Sequence, residues 1–525
     1  MKSVICAYSL DKHSARMRTF LSGKRVKVSS FREILVEAEQ PHSNQLALSI
    51  FLPLAQSHFN ARVVFYGNGL SSFKSKTKFR LRQFFSPINV FSQGKLIFQD
   101  DIDQNSSDLD CIVEELHSRI IDHESLERLE YKDVVIGDLV YDTYLRKHGS
   151  PTVDLNSIEL QNLLKESIKQ VDFWHRYFTK TSVASICISH SVYLTAIPAR
   201  VGLLYDIEIF QVNTDAIYRI SSEFPQAYTD FINYKRDFQD LSTEERNSAL
   251  SQSRARLQRR FLGDLVVDMP YMSKSAFTKK SGHTNPVVKD SSRINVLIAI
   301  HDFFDSPHVY GLNFYPDFLL WIKRLNEISF DVDYDWYIKT HPSIRGDGHA
   351  ILEEFVSSSN GFKIVPPDTS HHQLIEEGID CVLTVYGTIA MEYPYLGKIA
   401  INASRSNPHI AYNFSISPKD KIHYEEIIRD LNLHISNEIN REEVEEYYYI
   451  HKIHHLQNWV FLDQERFLKA LGGYDASNTS NIYTYFRIGD NIRTQNEYEN
   501  GVLAFLNSKS PRITRAHFEG KRSPH

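Results

Sequence analysis

Residues 44–59, NQLALSIFLPLAQSHF, place apolar side chains at helical spacing, and ARVVFYG (61–67) follows as a β-branched run that stops at glycine. Helix and strand in repeated alternation point to an α/β domain with a parallel sheet. The alternation continues with KDVVIGD (132–138) as a strand, a helix over about 156–178, VASICIS (183–189) as a strand, a helix over 191–204 and the strand IEIFQV (207–212). A doubly wound, Rossmann-like sheet over 1–215 accounts for that order. From 215 the alternation fades. A helix over 243–261 carries Arg254, Arg256, Arg259 and Arg260, and the polar run KSAFTKKSGHTNPVVKDSSR follows, so 216–290 is expected to be a linker with a helical insertion.

A second alternating block occupies 291–425. Its expected strands are RINVLIAI (293–300), YDWYIK (334–339), GFKIVP (361–366), CVLTV (381–385) and IAIN (399–402), with helices at 315–328, 349–358, 371–377 and 388–396 between them. Residues 426–508 read as helices packing across both domains, and 509–525, KSPRITRAHFEGKRSPH, as a basic disordered tail. Two facing Rossmann-like domains with a C-terminal helical crossover make a GT-B-like α/β architecture, a scaffold that several enzyme classes share.

Composition narrows the classes. Charged residues make up 24% and hydrophobic residues 42% of the 525, ordinary values for a globular chain, and the net charge of −6 gives no reason to expect a nucleic-acid partner. Aromatics reach 12%, rings that serve sugar and base sites as well as cores. Four scattered cysteines without CxxC spacing indicate neither a zinc site nor a disulfide framework, which fits a reducing, cytoplasmic setting. The apolar run at the start is too short for a signal peptide and INVLIAI is too short to span a bilayer, so membrane contact is expected only as peripheral contact with the inner face. SSFKSKTKFRLRQFF (71–85) alternates Lys74, Lys76, Lys78, Arg80 and Arg82 with aromatics; a solvated edge strand or flap is the plainer reading, and contact with an anionic acceptor, a lipid diphosphate or a membrane surface the functional one.

Ligands of open α/β sheets lie beyond the C-terminal strand ends, and four such ends in the second block are chemically unusual. HDFFDSPHVYG (301–311) brings His301, Asp302, Asp305 and His308. These suit donor contact or catalysis, or, with Asp305 or Ser306 as a cap and Pro307 behind it, a turn; as metal ligands their spacing matches no standard site. KTHPS (339–343) offers Lys339 as a point charge for phosphate, and His341, held extended by Pro342, as a hydrogen-bonding or proton-transferring group. In PPDTSHHQLIEEGID (366–380), Ser370 and Gln373 have capping-box spacing, and the helix start with His371 and His372 suits an anion or simple capping. In VYGTIAMEYPYLGKIAIN (385–402), Tyr386 ends a strand, Gly387 allows a tight turn and a helix begins near Thr388. Glu392 stands one turn on, where a carboxylate can accept both hydroxyls of a ribose or face solvent near a helix N-terminus.

HDFFDSPHVYG, IKTHPS, SHHQLIEEGIDCVLTVYGTIAMEYPYLGKIAINAS and NPHIAYNF resemble bacterial capsule and surface-polysaccharide biosynthesis proteins, a GT-B group of glycosyltransferases that includes enzymes similar to the capsular Kdo transferases. IGDLVYDTYLR (136–146) and SHSVYLTAIPARVGLLYDIEIFQVN (189–213) are similar to the same group. The resemblance implies a nucleotide-sugar donor bound by the second domain, with His341, Thr388 and Glu392 on the nucleotide side. It also implies a glycan or lipid-linked glycan acceptor on the first domain, and no cofactor. Inverting transfer needs a base on the acceptor side; Asp138 and His190 are expected to face the cleft, while Asp142 is open to pairing with Arg146 one helical turn on. Asp331-Val332-Asp333 has the Asp-x-Asp form in an expected loop ahead of a strand, and two-domain clefts of this type usually dispense with metal, so none is expected to be required. A teichoic-type polyol-phosphate transferase, a sugar-nucleotide 2-epimerase and a non-catalytic glycan-binding relative are the competing readings.

Overall fold

A computed structural model of the chain describes residues 12–24, 26, 28–67, 77, 86–98, 106–264, 275–278, 286–289, 291–341, 344, 346–455 and 458–520. The basic stretch 74–82, apart from residue 77, and Pro342 lie outside the described residues. The first sheet contains β1 (Glu33–Glu37), β2 (Arg62–Gly67) and β3 (Ser92–Phe98). After a two-residue ribbon, β4 (Glu130–Tyr131) with β5 (Val134–Val135), it resumes with β6 (Val183–Ile188), β7 (Glu208–Val212) and β8 (Ile217–Ile220). Its order is β3-β2-β1-β6-β7-β8, parallel except for β8. The second sheet, β9 (Ile294–Ile300), β10 (Tyr334–Thr340), β11 (Lys363–Ile364), β12 (Cys381–Thr384) and β13 (Ile399–Asn402), is wholly parallel in the order β11-β10-β9-β12-β13. Each sheet reverses its winding beside its first strand, between β1 and β6 and between β9 and β12, and these switch points are where such sheets bind ligands.

Three expectations are corrected. KDVVIGD is not a strand of the sheet: Lys132 and Asp133 both have positive φ, the geometry of a tight hairpin turn, and helix Gly137–His148 starts directly after β5. Residues 216–290 are more than linker, because β8 extends the first sheet and helix Thr243–Phe261 buries Ala249 and Leu257 against Met391, Tyr412, Phe414 and Tyr447 of the second half of the chain. The region 509–520 is packed rather than a loose tail. Ile513 is fully buried and donates its N–H to Ile217 O at 2.9 Å, Arg219 N donates to Pro511 O at 2.8 Å, and Arg512 pairs with buried Asp230 at 3.3 Å.

The C-terminal segment crosses back onto the first sheet. Val502, Phe505 and Leu506 of helix Gln495–Asn507 share one apolar core with Phe51 and Phe210, and Trp459 and Phe461 join it. Helix Arg441–Tyr448 packs instead on Thr243–Phe261. Two Rossmann-like sheets tied by this crossover give the chain a GT-B-like fold. Among the described residues no helix is long and apolar enough to cross a membrane.

The two halves touch through strand-end loops. His308, in the loop after β9, sits 2.6 Å from Asp142 and 3.2 Å from Glu127, all three nearly inaccessible to solvent. Tyr141, beside Asp142, donates its hydroxyl to Asp317, the N-cap of helix Phe318–Ile328. Asp142 therefore spends its carboxylate across the interface and not on Arg146, which lies 4.0 Å from Asp305. Burial alone would lower the His308 pKa, but the Asp142 and Glu127 carboxylates outweigh it and raise it to about 10, so the imidazole is a cation holding two carboxylates.

Candidate functional site

The C-terminal ends of β9, β10 and β12 enclose a pocket with about 700 Å³ of atom-free space, its mouth open to solvent. Sequence-selected residues His301, Lys339, His341, His371, Gly387, Thr388 and Glu392 line it. Five others do not: Asp138, His190, Asp305, Ser370 and Tyr386 stand outside its wall.

Each lining group is held by its strand end. His301 follows β9 and is sandwiched by rings, stacked on Phe318 at 4.8 Å and tilted on Tyr386 at 4.5 Å, with Nε2 3.2 Å from Thr384 Oγ1. Burial, with a smaller push from His341, drives its pKa down to about 3, so it is a neutral imidazole. Lys339 is nearly fully buried and donates to Pro367 O at 3.2 Å. Burial lowers its pKa to about 8, with Asp368 opposing, so it remains mostly cationic at neutral pH. His371 is kept neutral by burial, and its Nδ1 lies 3.0 Å from Tyr393 Oη.

Two anion-site expectations change. Ser370 does cap helix His371–Glu376, accepting the Gln373 N–H at 3.1 Å, but the His371 N–H at that helix start donates to Ala276 O at 3.0 Å and is not open to a phosphate. Gly387 matters for closeness and not for an unusual φ. A Cβ there would come within 2.8 Å of Thr384 Oγ1 and 3.4 Å of the His301 ring, and the Gly387 N–H is fixed on Thr384 Oγ1 at 3.2 Å.

Glu392 is neither solvent-facing nor alone. It is buried, and its Oε1 receives Nε of buried Arg260 at 2.9 Å and, closer still, Nη2. Arg260 comes from the last turn of helix Thr243–Phe261, 132 residues upstream. Sequence reasoning noted it only as one cation of a linker helix. A signal existed: the buried positions of that helix, Ala249, Ser253, Leu257 and Arg260, fall on one stripe at helical spacing. Both bonds fall on Oε1, which leaves Oε2 for the pocket.

Across the interface, the expected acceptor-side residues separate. Asp138 is buried in the first turn of its helix and paired with Arg200 at 2.6 Å, so it does not serve the cleft as expected. His190 follows β6, at the switch point of the first sheet, and burial lowers its pKa while Asp305 and Arg146 bear on it in opposite directions. Its Nδ1 is buried without a hydrogen bond. Asp305 thus belongs to the interdomain face opposite His190 and not to the pocket. Among the described residues no group of three His, Cys, Asp or Glu is placed to hold a metal ion.

The sequence matches no protein-family model and no curated protein sequence. Solved structures similar to the chain include the UDP-GlcNAc 2-epimerase of Neisseria meningitidis bound to UDP-GlcNAc, at 10% identity over 80% of this chain and 98% of that chain, TM-score 0.23. The wall teichoic acid polymerase TagF matches at 9% identity over 85% and 90%, TM-score 0.21. The UDP-GlcNAc 2-epimerase of Methanocaldococcus jannaschii in complex with UDP-GlcNAc and UDP matches at 12% over 79% and 97%, TM-score 0.21. Superpositions this loose carry no argument about activity.

Proposed function

We propose that the chain is a glycosyltransferase that takes a sugar from a nucleotide-activated donor, an NDP- or CMP-sugar, and adds it to a growing capsule or other surface glycan. The observation that carries the reading is the pocket at the β9/β12 switch point: a buried cation, neutral imidazoles and a glycine turn under a carboxylate already oriented by Arg260. Lys339 supplies charge for the donor phosphate, Glu392 Oε2 accepts ribose hydroxyls, and His341 hydrogen-bonds the phosphate or sugar. The acceptor enters from the first sheet. Its hydroxyl oxygen bonds to the anomeric carbon while the bond from that carbon to the donor phosphate breaks. The nucleotide leaves with the electron pair, and the hydroxyl proton passes to neutral His190 at Nδ1.

The reading is tested by incubating the full chain with candidate donors and glycan acceptors. Release of a nucleoside diphosphate or CMP with matching glycan extension supports it; epimerisation without acceptor, or incorporation of a polyol phosphate, contradicts it.

Lys339 adds a pH signature. Its charge is present below pH 8 and lost as pH rises through that value, so nucleotide affinity should fall between pH 7 and 9. Titration calorimetry should show that fall in the wild type. Lys339→Met should bind about 10-fold or more weakly, the worth of a charge-assisted hydrogen bond, with a flat profile across the window. An equally steep profile in the variant would assign the titration elsewhere.

A further inference from the structure

Tyr193, in the loop that leaves β6, has φ 63° and ψ 172°, a region that essentially only glycine occupies. A bulky aromatic residue there is strained and persists only when its surroundings over-determine it. They do so at three points: Ser189 N donates to Glu37 Oε2 at 2.7 Å, Ser191 Oγ accepts Ala227 N at 3.1 Å, and Leu194 N donates to Thr143 Oγ1 at 3.0 Å. Val192 and Leu194, flanking Tyr193, are buried, so the chain on either side is anchored in the core. Relaxing Tyr193 to an ordinary backbone conformation would break these anchors.

The strain aims a particular group at a particular place. The Tyr193 ring lies 5.6 Å from that of His190, and Ser306 of the facing β9 loop lies near enough to its hydroxyl to bear on its titration. Asp305 and Arg146 also bear on this small space between the two switch points. The loop therefore presents a half-buried aromatic face, a phenol hydroxyl and a buried ring nitrogen without a hydrogen bond to one point of the cleft. Ring face plus hydroxyl is a combination suited to a sugar, whose C–H face packs on an aromatic and whose hydroxyls need partners.

We infer that Tyr193 is a positioning residue for the acceptor: its ring packs on the terminal acceptor sugar and its hydroxyl orients the attacking hydroxyl toward His190. The inference rests on the glycosyltransferase reading and adds to it a residue on the acceptor side. It also explains the strain, since a glycine would suit the backbone and would lack the ring.

The test uses the full chain as wild type, Tyr193→Phe and Tyr193→Gly, with the nucleotide sugar and glycan acceptor that the wild type turns over. Acceptor is varied at saturating donor, and Tm and nucleotide Kd are measured for each variant. Expected are nucleotide Kd values within about twofold of wild type and, for Tyr193→Gly, a kcat/KM for acceptor lowered by about 30-fold or more, in line with removal of a positioning contact. Tyr193→Phe, which keeps the ring and the strained backbone, should recover part of that loss and fall about 3- to 10-fold below wild type, the share of one neutral hydrogen bond. A wild-type kcat/KM in both variants overturns the inference and leaves the donor site standing, as does a uniform loss accompanied by weakened nucleotide binding. A wild type that binds no nucleotide, or binds one and extends no acceptor, overturns the glycosyltransferase reading itself.

Discussion

Arg260→Met is expected to cost about 3–5 kcal/mol of stability and to abolish high-affinity nucleotide binding, because it strands the Glu392 carboxylate in a buried site without its cation. The pair is largely buried, with side-chain exposures of 7% and 5%. Arg260→Lys should recover only part of the loss, since one ammonium does not reproduce two donors converging on one oxygen. The informative variant is the double one. Replacing both partners with apolar residues, Arg260→Met with Glu392→Leu, removes the stranded charge and should restore most of the Tm. It should not restore nucleotide binding, because the ribose contact has gone with the carboxylate. Differential scanning fluorimetry and titration calorimetry on the same samples separate the two quantities; recovery of both would mean that the pair serves packing alone.

His308→Leu should have the second-largest effect, also about 3–5 kcal/mol at neutral pH, acting on the contact between the halves of the molecule. It removes the cation that Asp142 and Glu127 share and leaves two carboxylates inside a region of near-zero exposure. The pH dependence follows from the raised His308 pKa. The folded imidazole keeps its proton up to about pH 10 and the unfolded one loses it near 6.5, so the contribution to stability is full below 6.5 and is lost as pH rises toward 10. Wild-type Tm should therefore decline across that window. In His308→Leu the decline should be shallower, and the deficit relative to wild type should shrink at pH 5, where the stranded carboxylates take up protons. Parallel Tm curves for the two proteins from pH 5 to 9 would show that the triad does not carry the effect.

How much of this was legible in the sequence differs by region for physical reasons. Strands β9, β10, β12 and β13 are short, continuous apolar runs flanked by turn residues, and their boundaries were read to within a residue. β1, EILVE, was not read, because its two glutamates disguise a strand that is buried at all five positions. Glu33 is neutralised by Arg62 at 2.7 Å and Glu37 accepts the Ser189 N–H, partners that only the tertiary fold supplies. KDVVIGD misled in the opposite sense: its apolar run spans a hairpin turn and a helix start, and Gly137 sits there because a Cβ would strike Leu126 O at 1.8 Å. The tail looked disordered from composition, while its order depends on Ile513 and Arg512 meeting β8 and Asp230 almost 300 residues upstream.

The site divides the same way. Residues on the loops of one domain, His301, Lys339, His341, His371, Gly387, Thr388 and Glu392, follow from the rule that ligands lie beyond strand ends, and all line the pocket. What the rule does not reach is pairing between distant elements: Arg260 on Glu392, Arg200 on Asp138, His308 on Asp142. Tyr193 carries no sequence signal, because its distinguishing property is a backbone conformation that the residue type does not announce.

The central claim is that the β9/β12 pocket holds the nucleotide of a sugar donor. It is tested most directly by thermal shift of the wild type and of the Arg260→Met, Glu392→Leu double variant against UDP, GDP, CDP and CMP. Binding to the native state at 100 times Kd adds about 2.7 kcal/mol to apparent stability, so one nucleotide should raise the wild-type Tm clearly above the others and leave the double variant unmoved. No shift with any of the four, or the same shift in both proteins, would contradict it.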